Sequence, residues 1–307
     1  MAVTITQLVA FVTASQRGSV TAAAKELVVT QPSVSAAINA LQRELGITLM
    51  QRNGRGMRPT SAGEAYIPYA VSVLGLLEQG ARAAREAVAD SRRTLRIGAV
   101  TTAGEHLVAP LLRTFGEAHP DLDIRLQVGN REAVFQQLID REVEVAITGC
   151  PPKELCVHGR PFAPNELVLI TAANDPLAQG RTVTVHELAR RVWILREPGS
   201  GTRMLSEQYL AAHGLRPRTL TLGSNGAIRQ AAGLGLGIAL QSRCAVQLEL
   251  ELGRVATIQP PSRLPQPAWY VVHSAVGPVR AEVTAFTNFV ESLVGQRALP
   301  RALAPAA

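Results

Sequence analysis

Between Thr30 and Asn39 the chain carries short, mostly uncharged side chains that could bond to the edges of DNA bases. The candidate contact residues in this run are Thr30, Gln31, Pro32, Ser33, Ser35, Ala36 and Asn39. They can face outward together, because Val34, Ile38 and Leu41 recur at the spacing of one apolar helical face. A helix that enters a major groove about 12 Å wide needs short side chains or groups that reach base edges. The run therefore predicts a DNA-reading helix.

A basic hairpin is predicted directly after this helix. Residues 49–58 contain the turn signal Asn53-Gly54 and three arginines. Cationic side chains on such a hairpin could lie along the phosphates of a duplex. With one arginine from the end of the helix, the candidate phosphate contacts are Arg43, Arg52, Arg55 and Arg58. The alternative is a small helical bundle whose polar face only contacts solvent.

The residues around this surface predict the elements that hold it. Ser19 or Thr21 can cap a short helix, and Thr30 can cap the next one, with Pro32 in its first turn. Gly46 follows the last apolar position and can adopt the left-handed conformation that ends a helix. Two short helices joined by a tight turn and followed by a hairpin predict a winged helix-turn-helix domain.

The stretch FVTASQRGSVTAAAKELVVTQPSVSAAINALQRELGITLMQR, with MRPTSAGE after it, resembles the N-terminus of the LysR-type transcriptional regulators. The resemblance extends more weakly over nearly the whole chain. It implies a regulator that binds double-stranded operator DNA and a small-molecule effector, forms dimers to tetramers, and has RNA polymerase as a further candidate partner. The chain departs from the family at Ala36 and Ala37, where many members carry polar or basic residues. Base reading here could instead use thymine methyl contacts or DNA shape.

Length and charge agree with a DNA-binding protein of several domains. The chain has 307 residues and a net charge of +7. Residues 1–60 contain six basic and two acidic residues, so 6 − 2 = +4 of that excess lies in the first fifth of the chain. We predict a DNA-binding domain at 1–60, a dimerising linker helix at 61–90 and an effector-binding domain at 91–307.

The linker helix is predicted to begin with a capping box at Ser61-Ala62-Gly63-Glu64. An apolar stripe then runs along it at helical spacing through Tyr66, Ala70, Val73, Leu77 and Ala81. A long helix cannot bury such a stripe alone, so we expect it to pair with a second copy. Packing against its own domain is the alternative.

After residue 94, strand-like and helix-like runs alternate, which predicts an α/β fold with largely parallel sheets. The strand-like runs are 95–100, 124–128, 143–148, 167–171, 192–195, 220–222, 238–240, 255–258 and 269–273. The last helix is predicted at 278–296, with Pro278 in its first turn. The resemblance implies two lobes like those of periplasmic binding proteins, lobe I at about 94–163 plus 268–299 and lobe II at about 166–265.

Ligands of open α/β sheets collect at the carboxyl ends of strands, near helix N-termini. Several turns at such positions carry hydroxyl, amide and glycine residues, and one carries an arginine that could hold a carboxylate or phosphate. The candidate effector contacts are Thr101, Thr102, Gly129, Asn130, Thr148, Gly149, Ser200, Gly201, Thr202, Arg203, Ser224 and Asn225. We predict a small, anionic metabolite between the lobes and no other cofactor. The run 197–203 also resembles the family branch that regulates carbon fixation and sulfur assimilation.

The sequence argues against an enzyme, a metal site and a membrane protein. It lacks P-loop, GxSxG, HExxH and paired CxxC motifs, and its six histidines do not pair at helical spacing. Cys150 and Cys156 flank a Pro-Pro pair, so a thiol-based redox sensor is an alternative, and a solute-binding protein is another. With no leader and no long apolar run, we expect the chain in the cytoplasm.

Overall fold

The computed structural model describes residues 2–54, 56–88 and 93–295. The chain divides into two compact units, one of Met1–Ser91 with Ile139–Glu142 and one of Arg92–Leu138 with Val143–Ala307. The first unit opens with helices α1 (Ile5–Arg17), α2 (Val20–Glu26) and α3 (Gln31–Leu45). A hairpin of β1 (Met50–Asn53) and β2 (Gly56–Pro59) follows, and then helix α4 (Ser61–Val88). The predicted helix-turn-helix with its wing is confirmed.

Side-chain caps set where the three short helices begin. The hydroxyls of Thr4, Ser19 and Thr30 accept hydrogen bonds from backbone N–H groups three residues on. Ser19, and not Thr21, is therefore the cap of α2. Gly46 ends α3 with φ 68°, in the left-handed region where a side chain would cost energy.

The core of this part lies among the three helices. Phe11 and Leu41 are fully buried, and Val34 and Ile38 pack beside them. The apolar face of α3 is thus used for packing, which leaves its other face outward.

Helix α4 begins one residue earlier than the predicted capping box requires. The cap is Thr60, whose Oγ1 accepts from Gly63 N at 3.0 Å and whose carbonyl accepts from Glu64 N at 2.8 Å. Ser61 is already helical, because its own hydroxyl is not needed once Thr60 satisfies the first turn.

The apolar stripe of α4 is divided between two environments. Ala70 is 1% exposed and packs with Tyr66 and Leu74 against the core of the three short helices. Val73 and Leu77 are 47% and 53% exposed. The alternative of packing on its own domain therefore holds for one side of this helix, while the other side is open in the single chain.

The second unit contains a five-stranded sheet in the order β4-β3-β5-β12-β6. Its strands are β3 (Arg93–Val100), β4 (Leu122–Gly129), β5 (Val145–Thr148), β6 (Val157–Pro164) and β12 (Ala268–Ser274). Its helices are α5 (Thr101–His106), α6 (Val108–Ala118), α7 (Arg131–Ile139) and α12 (Ala281–Gly295). We call this part the first lobe.

The second lobe is formed by the chain between β6 and β12. Its strands are β7 (Leu167–Ala172), β8 (Trp193–Arg196), β9 (Thr219–Leu222), β10 (Ala239–Ser242) and β11 (Val255–Ile258). Its helices are α8 (Val185–Ala189), α9 (Gly201–Ala212), α10 (Asn225–Gly233) and α11 (Arg243–Glu251), with a 3-10 turn at Pro176–Ala178. A parallel bridge between Trp193 and Ile238 joins the β8-β9 pair to the segment that enters β10.

The α/β fold is confirmed, but the expectation of largely parallel sheets is wrong. Strand β3 pairs in parallel with β4 and β5, whereas β12 pairs antiparallel with both β5 and β6. Strand β7 is antiparallel to β10 and β11. The chain returns to the first sheet through β12, which runs against its neighbours and makes this sheet mixed. The sheet β10-β7-β11 is antiparallel throughout, whereas β8 and β9 pair in parallel. Strand β6, which contains Gly159 and Pro161, lies at the sheet edge where a proline is tolerated, and the sequence did not predict it.

Two smaller differences concern the last helix. Helix α12 begins at Ala281, so Pro278 precedes it and does not occupy its first turn. The predicted end at residue 296 lies outside the described residues, as do residues 89–92 and 297–307.

Val28, in the turn between α2 and α3, is a β-branched residue with φ 56° and 90% exposure. A left-handed conformation costs a residue with a Cβ about 1–2 kcal/mol, against about 0.5–1 kcal/mol of backbone entropy for glycine. We predict that Val28→Gly raises the free energy of unfolding by about 0.5–1 kcal/mol, measured by chemical denaturation. Val29→Gly, at a neighbouring position with ordinary φ, should lower it. If Val28→Gly destabilises as much as Val29→Gly, the strain at Val28 is not real.

Candidate functional site

Helix α3 presents most of the predicted base-reading residues on its outer face. Gln31, Pro32, Ser33, Ala36 and Asn39 are exposed. Ser35 is half-buried, and Arg43 is exposed at the end of the helix. Thr30 is also exposed, but its hydroxyl caps α3 and lies 2.8 Å from the Ser33 hydroxyl. It therefore has less freedom to bond a base than its neighbours.

Gln42, which the sequence placed on the outer polar face, connects α3 to the wing. Its Oε1 accepts from Leu49 N at 2.8 Å and from Met50 N at 3.0 Å. Its Nε2 donates to Asn39 Oδ1 at 3.3 Å. Because the Asn39 oxygen is engaged, its amide N–H groups remain available for acceptors outside the helix. Gln42 thus positions Asn39 and the first wing strand together.

The wing arginines lie on opposite faces of the hairpin. Arg52 pairs in register with Met57, and Arg58 pairs with Gln51, so neighbouring pairs point to alternate sides. Arg52 shares its face with Met50, which is buried, whereas Arg58 shares its face with the exposed Gln51. Arg55 lies outside the described residues. The two arginines are both exposed but leave the hairpin on opposite faces, and their predicted contacts with phosphates stay a prediction.

The charges of this surface differ in whether they are already paired. Arg17 donates from Nη2 to Glu26 Oε1 at 2.9 Å. Arg43, Arg52 and Arg58 form no ion pair with an acidic residue in the described part of the chain. These three keep their charge for another partner, and a duplex would supply phosphates.

A second candidate site is a cavity of about 110 Å³ between the two lobes. Seven predicted effector contacts line it: Thr101, Thr102, Asn130, Gly149, Ser200, Gly201 and Thr202. They come from the ends of β3, β4 and β5 in the first lobe and from the N-terminus of α9 in the second. Chain topology therefore brings together turns that are about 100 residues apart.

Arg203 does not reach this cavity, which contradicts its predicted role. Its Nε donates to Glu207 Oε1 at 2.7 Å, and its Nη1 donates to the Arg196 carbonyl at 2.9 Å. The side chain lines a different surface groove with Leu210 and Leu215. One residue along a helix turns a side chain by about 100°, so Arg203 points away when Gly201 and Thr202 face the cavity.

Four other predicted contacts lie near the cavity without lining it. The Gly129 carbonyl accepts from Thr101 Oγ1 at 3.1 Å, and the Ser224 hydroxyl caps α10 by accepting from Ala227 N at 3.1 Å. Thr148 is fully buried within β5. Asn225 is fully buried as well, and it connects the two lobes.

Asn225 and Arg196 form the centre of a hydrogen-bond network across the lobes. Arg196 is 3% exposed and donates to Asn225 Oδ1 at 2.6 Å and to both carboxylate oxygens of Glu197. Asn225 Nδ2 donates to Thr102 Oγ1 at 3.1 Å, and Arg196 Nη2 lies 3.5 Å from Thr101 Oγ1. A buried guanidinium is tolerated only when its donors are satisfied, and these partners satisfy it.

Arg131 is the second cation of the cavity, and it lacks a carboxylate partner in the described residues. Its Nη2 donates to the Cys150 carbonyl at 3.0 Å, and its guanidinium lies over the Phe135 ring, 4.9 Å from the ring centre. Burial lowers the pKa of Arg131 below its ordinary value, which means that its positive charge is poorly solvated. Among the described lining residues, two are arginines and none is acidic. The cavity therefore suits an anion.

The N-terminus of α9 adds uncharged donors to the same wall. Ser200 is 6% exposed and precedes the helix, yet its hydroxyl makes no capping hydrogen bond. The first N–H groups of a helix have no acceptor within the helix, and Gly201 and Thr202, which begin α9, line the cavity. Gly199 has φ 81°, a left-handed conformation that favours glycine, and its carbonyl accepts from Glu132 N of the first lobe at 3.1 Å.

The sequence missed several lining residues, including Arg131, Arg196, Asn165 and Trp269. Arg196 had a usable signal, because it is a charged residue at the carboxyl end of an otherwise apolar strand. Arg131 had a second signal, because it directly follows Asn130 at a helix start. Asn165 and Trp269 gave no local signal, since each lies where the chain crosses between lobes.

The cysteines and the metal-binding residue types form no further centre in the described residues. Cys150, Cys156 and Cys244 are free thiols, and Cys150 lines the cavity. A hydrogen bond with Cys150 raises the pKa of Tyr270. No group of three metal-ligating side chains occurs among the described residues, and none of the described helices has the length and apolar character needed to cross a bilayer.

Two family models match the chain. The one described as "Bacterial regulatory helix-turn-helix protein, lysR family" matches residues 5–64, and the one described as "LysR substrate binding domain" matches residues 89–294. Together they span both units.

Individual proteins resemble the chain over most of its length. It is 33% identical to the HTH-type transcriptional regulator CfxR of Cupriavidus necator, over 89% of this chain and 86% of that one. It is 34% identical to the HTH-type transcriptional regulator CbbR of Rhodospirillum rubrum, over 86% and 89% respectively. Among solved structures, the Synechocystis PCC6803 CcmR regulatory domain in complex with 2-PG matches with a TM-score of 0.62 and 28% identity. That match covers 66% of this chain and 97% of the other.

The buried network makes a prediction about stability. Asn225→Ala removes the acceptor of Arg196 Nη1 and the donor to Thr102, leaving buried groups unsatisfied. We expect the free energy of unfolding of the C-terminal unit to fall by about 1–3 kcal/mol, measured by denaturant titration. Thr221→Ala is a suitable control, because Thr221 is exposed and accepts one long bond of 3.4 Å from Arg203. Equal stability of the two variants would mean that the network does not hold the lobes.

Proposed function

We infer that this chain, which belongs to the LysR family of bacterial DNA-binding transcriptional regulators, adjusts its DNA binding in response to a small anion held between its two lobes. Family membership follows from the two matching family models and from relatives above 30% identity. The family consists of transcriptional regulators, so the prediction that the chain is not an enzyme is confirmed.

We propose that different residues of the N-terminal domain contact the bases and the phosphates of DNA. Asn39, Ser33 and Gln31 contact base edges in the major groove, because they are exposed on the outer face of α3. Arg43 and Arg58 contact phosphates, because they are exposed and lack an acidic partner in the described residues. Arg52 contributes to the general positive potential, since it shares a face with the buried Met50. Ala36 offers only a methyl group, which suits contact with thymine.

The effector proposal depends mainly on one observation: among the described residues that line the cavity, two are arginines and none is acidic. Ser200 and the N-terminus of α9 add donors that favour the same charge. A volume of about 110 Å³ is small beside the roughly 300–1,000 Å³ of pockets for drug-sized ligands. We therefore propose an anion of few carbon atoms, a carboxylate or phosphate. The CcmR regulatory domain, a relative of 28% identity, was solved with 2-PG, which makes 2-PG the first compound to test.

Coupling to DNA requires that the anion prefers one arrangement of the lobes. The cavity is formed by both lobes, and Arg196, Asn225 and Gly199 make contacts across them. An anion that binds Arg131 of the first lobe and Ser200 of the second stabilises the closed arrangement. Any difference in affinity between lobe arrangements shifts their populations, and DNA affinity changes with them.

We further propose the domain boundaries, the oligomeric state and the cellular location of the regulator. Its DNA-binding domain is 1–60, its linker helix 61–90 and its effector domain 91–307, with lobes at about 94–163 plus 268–299 and about 166–265. The exposed Tyr69, Val73 and Leu77 of α4 support dimerisation through this helix, with tetramers as a higher assembly. Sedimentation equilibrium tests this, and a monomer at micromolar concentration would contradict it. We also propose operator DNA and RNA polymerase as its partners and the cytoplasm as its location.

Replacing Arg131 tests the effector site. Arg131→Gln removes a charge-assisted hydrogen bond worth about 1.5–3 kcal/mol, so we expect 2-PG to bind about 10–100-fold more weakly by titration calorimetry. Arg216→Gln removes the same charge from an exposed position outside the cavity and should leave affinity unchanged. If wild-type protein binds neither 2-PG nor inorganic phosphate, the anion proposal fails.

Two substitutions separate base reading from phosphate contact. Asn39→Ala should relax sequence preference at one operator position, by about 1–3 kcal/mol, in a binding-site selection. Arg58→Ala should weaken operator and unrelated duplex alike and lower the slope of log affinity against log salt by about 1. An unchanged preference for Asn39→Ala would remove it from the base contacts. A loss confined to one base for Arg58→Ala would reassign that arginine.

A further inference from the structure

A cavity in the C-terminal unit lies at the two chain crossings between the lobes. Its volume is about 750 Å³, within the range of small-molecule pockets of roughly 300–1,000 Å³. The first crossing supplies residues 164–167 and the second supplies residues 263–269, while Arg243 and Cys244 come from the start of α11. Neither the predicted effector contacts nor the anion site described above include Arg243 or Arg263.

The lining combines cations with an apolar wall. Arg263 forms no ion pair in the described residues. With the Gln266 amide turned so that its oxygen faces the guanidinium, Nε and Nη2 of Arg263 each donate to that oxygen at 3.1 Å. Arg243 donates from Nε to Glu166 Oε1 at 2.6 Å. Two arginines and one carboxylate leave a net positive charge, and Arg263 is the cation without a charged partner.

The rest of the wall carries no charge. Leu264, Pro265, Pro267 and Trp269 are apolar. Burial raises the pKa of the Cys244 thiol to about 11, so this group stays protonated at neutral pH. A ligand for such a wall has an apolar body, a ring or a short alkyl chain, and one anionic group for Arg263.

One residue with an unused hydrogen-bonding group connects this cavity to the anion site. Asn165, Pro267 and Trp269 line both cavities. Asn165 is 9% exposed, and its Oδ1 is buried without a hydrogen-bond partner in the described residues, although its backbone N–H donates to the Pro267 carbonyl at 2.9 Å. Buried polar atoms are rarely left unpaired, so this oxygen points to a missing donor from a ligand or water.

We propose that the crossing cavity is a second ligand site, which binds an organic anion with an apolar body through Arg263, and that it is coupled to the anion site through the wall formed by Asn165 and Trp269. A ligand in this cavity contacts both chain crossings, so it stabilises the arrangement of the lobes in which it binds most tightly. Linkage requires that each ligand then changes the affinity of the other by the same factor. Binding at this cavity does not depend on the proposed function, whereas the coupling does.

The test uses 8-anilinonaphthalene-1-sulfonate, a fluorescent anion with an apolar body, titrated into the full-length protein. We expect saturable binding that Arg263→Gln weakens about tenfold or more. Gln266→Glu should weaken it similarly, because a carboxylate beside Arg263 neutralises the cation without removing it. Arg254→Gln, an exposed arginine that lines neither cavity, should bind as wild type. Unchanged affinity in both cavity variants, or an equal loss in Arg254→Gln, would overturn the site.

Two further measurements separate this inference from the proposed function. Arg131→Gln should still bind the dye as wild type does, and loss of dye binding in that variant would place the dye in the anion site and overturn the proposal. Saturating dye should then change the affinity for 2-PG at least about fivefold, since coupling energies between sites are typically about 1–3 kcal/mol. Dye binding with no 2-PG or phosphate binding would refute the anion effector and leave the second site standing. If the affinity for 2-PG is the same with and without saturating dye, the coupling is refuted.

Discussion

The C-terminal unit depends on keeping the buried guanidinium of Arg196 satisfied. At 3% exposure this cation has lost its water, so its donors need protein acceptors. Glu197 from the same strand end supplies a carboxylate, and Asn225 from α10 supplies an amide oxygen. Burial alone would raise the pKa of Glu197, but the bonds from Arg196 outweigh it and the pKa lies below its usual value. Asn225 then continues the network to Thr102 in the other lobe. The hydrogen bonds that satisfy Arg196 at the end of β8 therefore also hold the two lobes together.

This arrangement explains why the cavity favours an anion although both of its arginines are engaged. Arg196 is neutralised by Glu197, whereas Arg131 has only a carbonyl and an aromatic ring as partners. The unbalanced charge is therefore on the first-lobe side, and the free N–H groups of α9 are on the second-lobe side. The proposed anion would contact both lobes at once. In the proposed function, recognition of the anion and closure of the lobes are therefore the same physical event, which is what a ligand-responsive regulator requires.

The N-terminal domain separates structure from recognition on a single helix. Val34, Ile38 and Leu41 are 2%, 3% and 0% exposed, and they hold α3 in the core. Gln42 fixes the wing strand and orients Asn39 with one side chain. The outer face of α3 therefore carries short side chains that do not pack in the core, because the buried face alone holds the helix in place. The residues proposed to contact bases and phosphates remain predictions, as do the proposed effector contacts.

The sequence alone determined the features that depend on neighbours a few residues apart. The cap at Thr30, the glycine end at Gly46 and the apolar stripe of α3 follow from local geometry and predict the second helix of the helix-turn-helix. The Asn53-Gly54 turn signal predicts the wing, and the alternating strand-like and helix-like runs after residue 94 predict the α/β fold. The tertiary structure decided what depends on distant partners. Strand β12 runs antiparallel between β5 and β6 because the chain returns from the second lobe, which no local pattern encodes. Arg203 carried the right chemistry but is engaged by Glu207, whereas Arg131, 72 positions earlier in the numbering, faces the cavity. Residue type can be read from the sequence, but the direction of a side chain depends on which partners the folded chain brings within bonding distance.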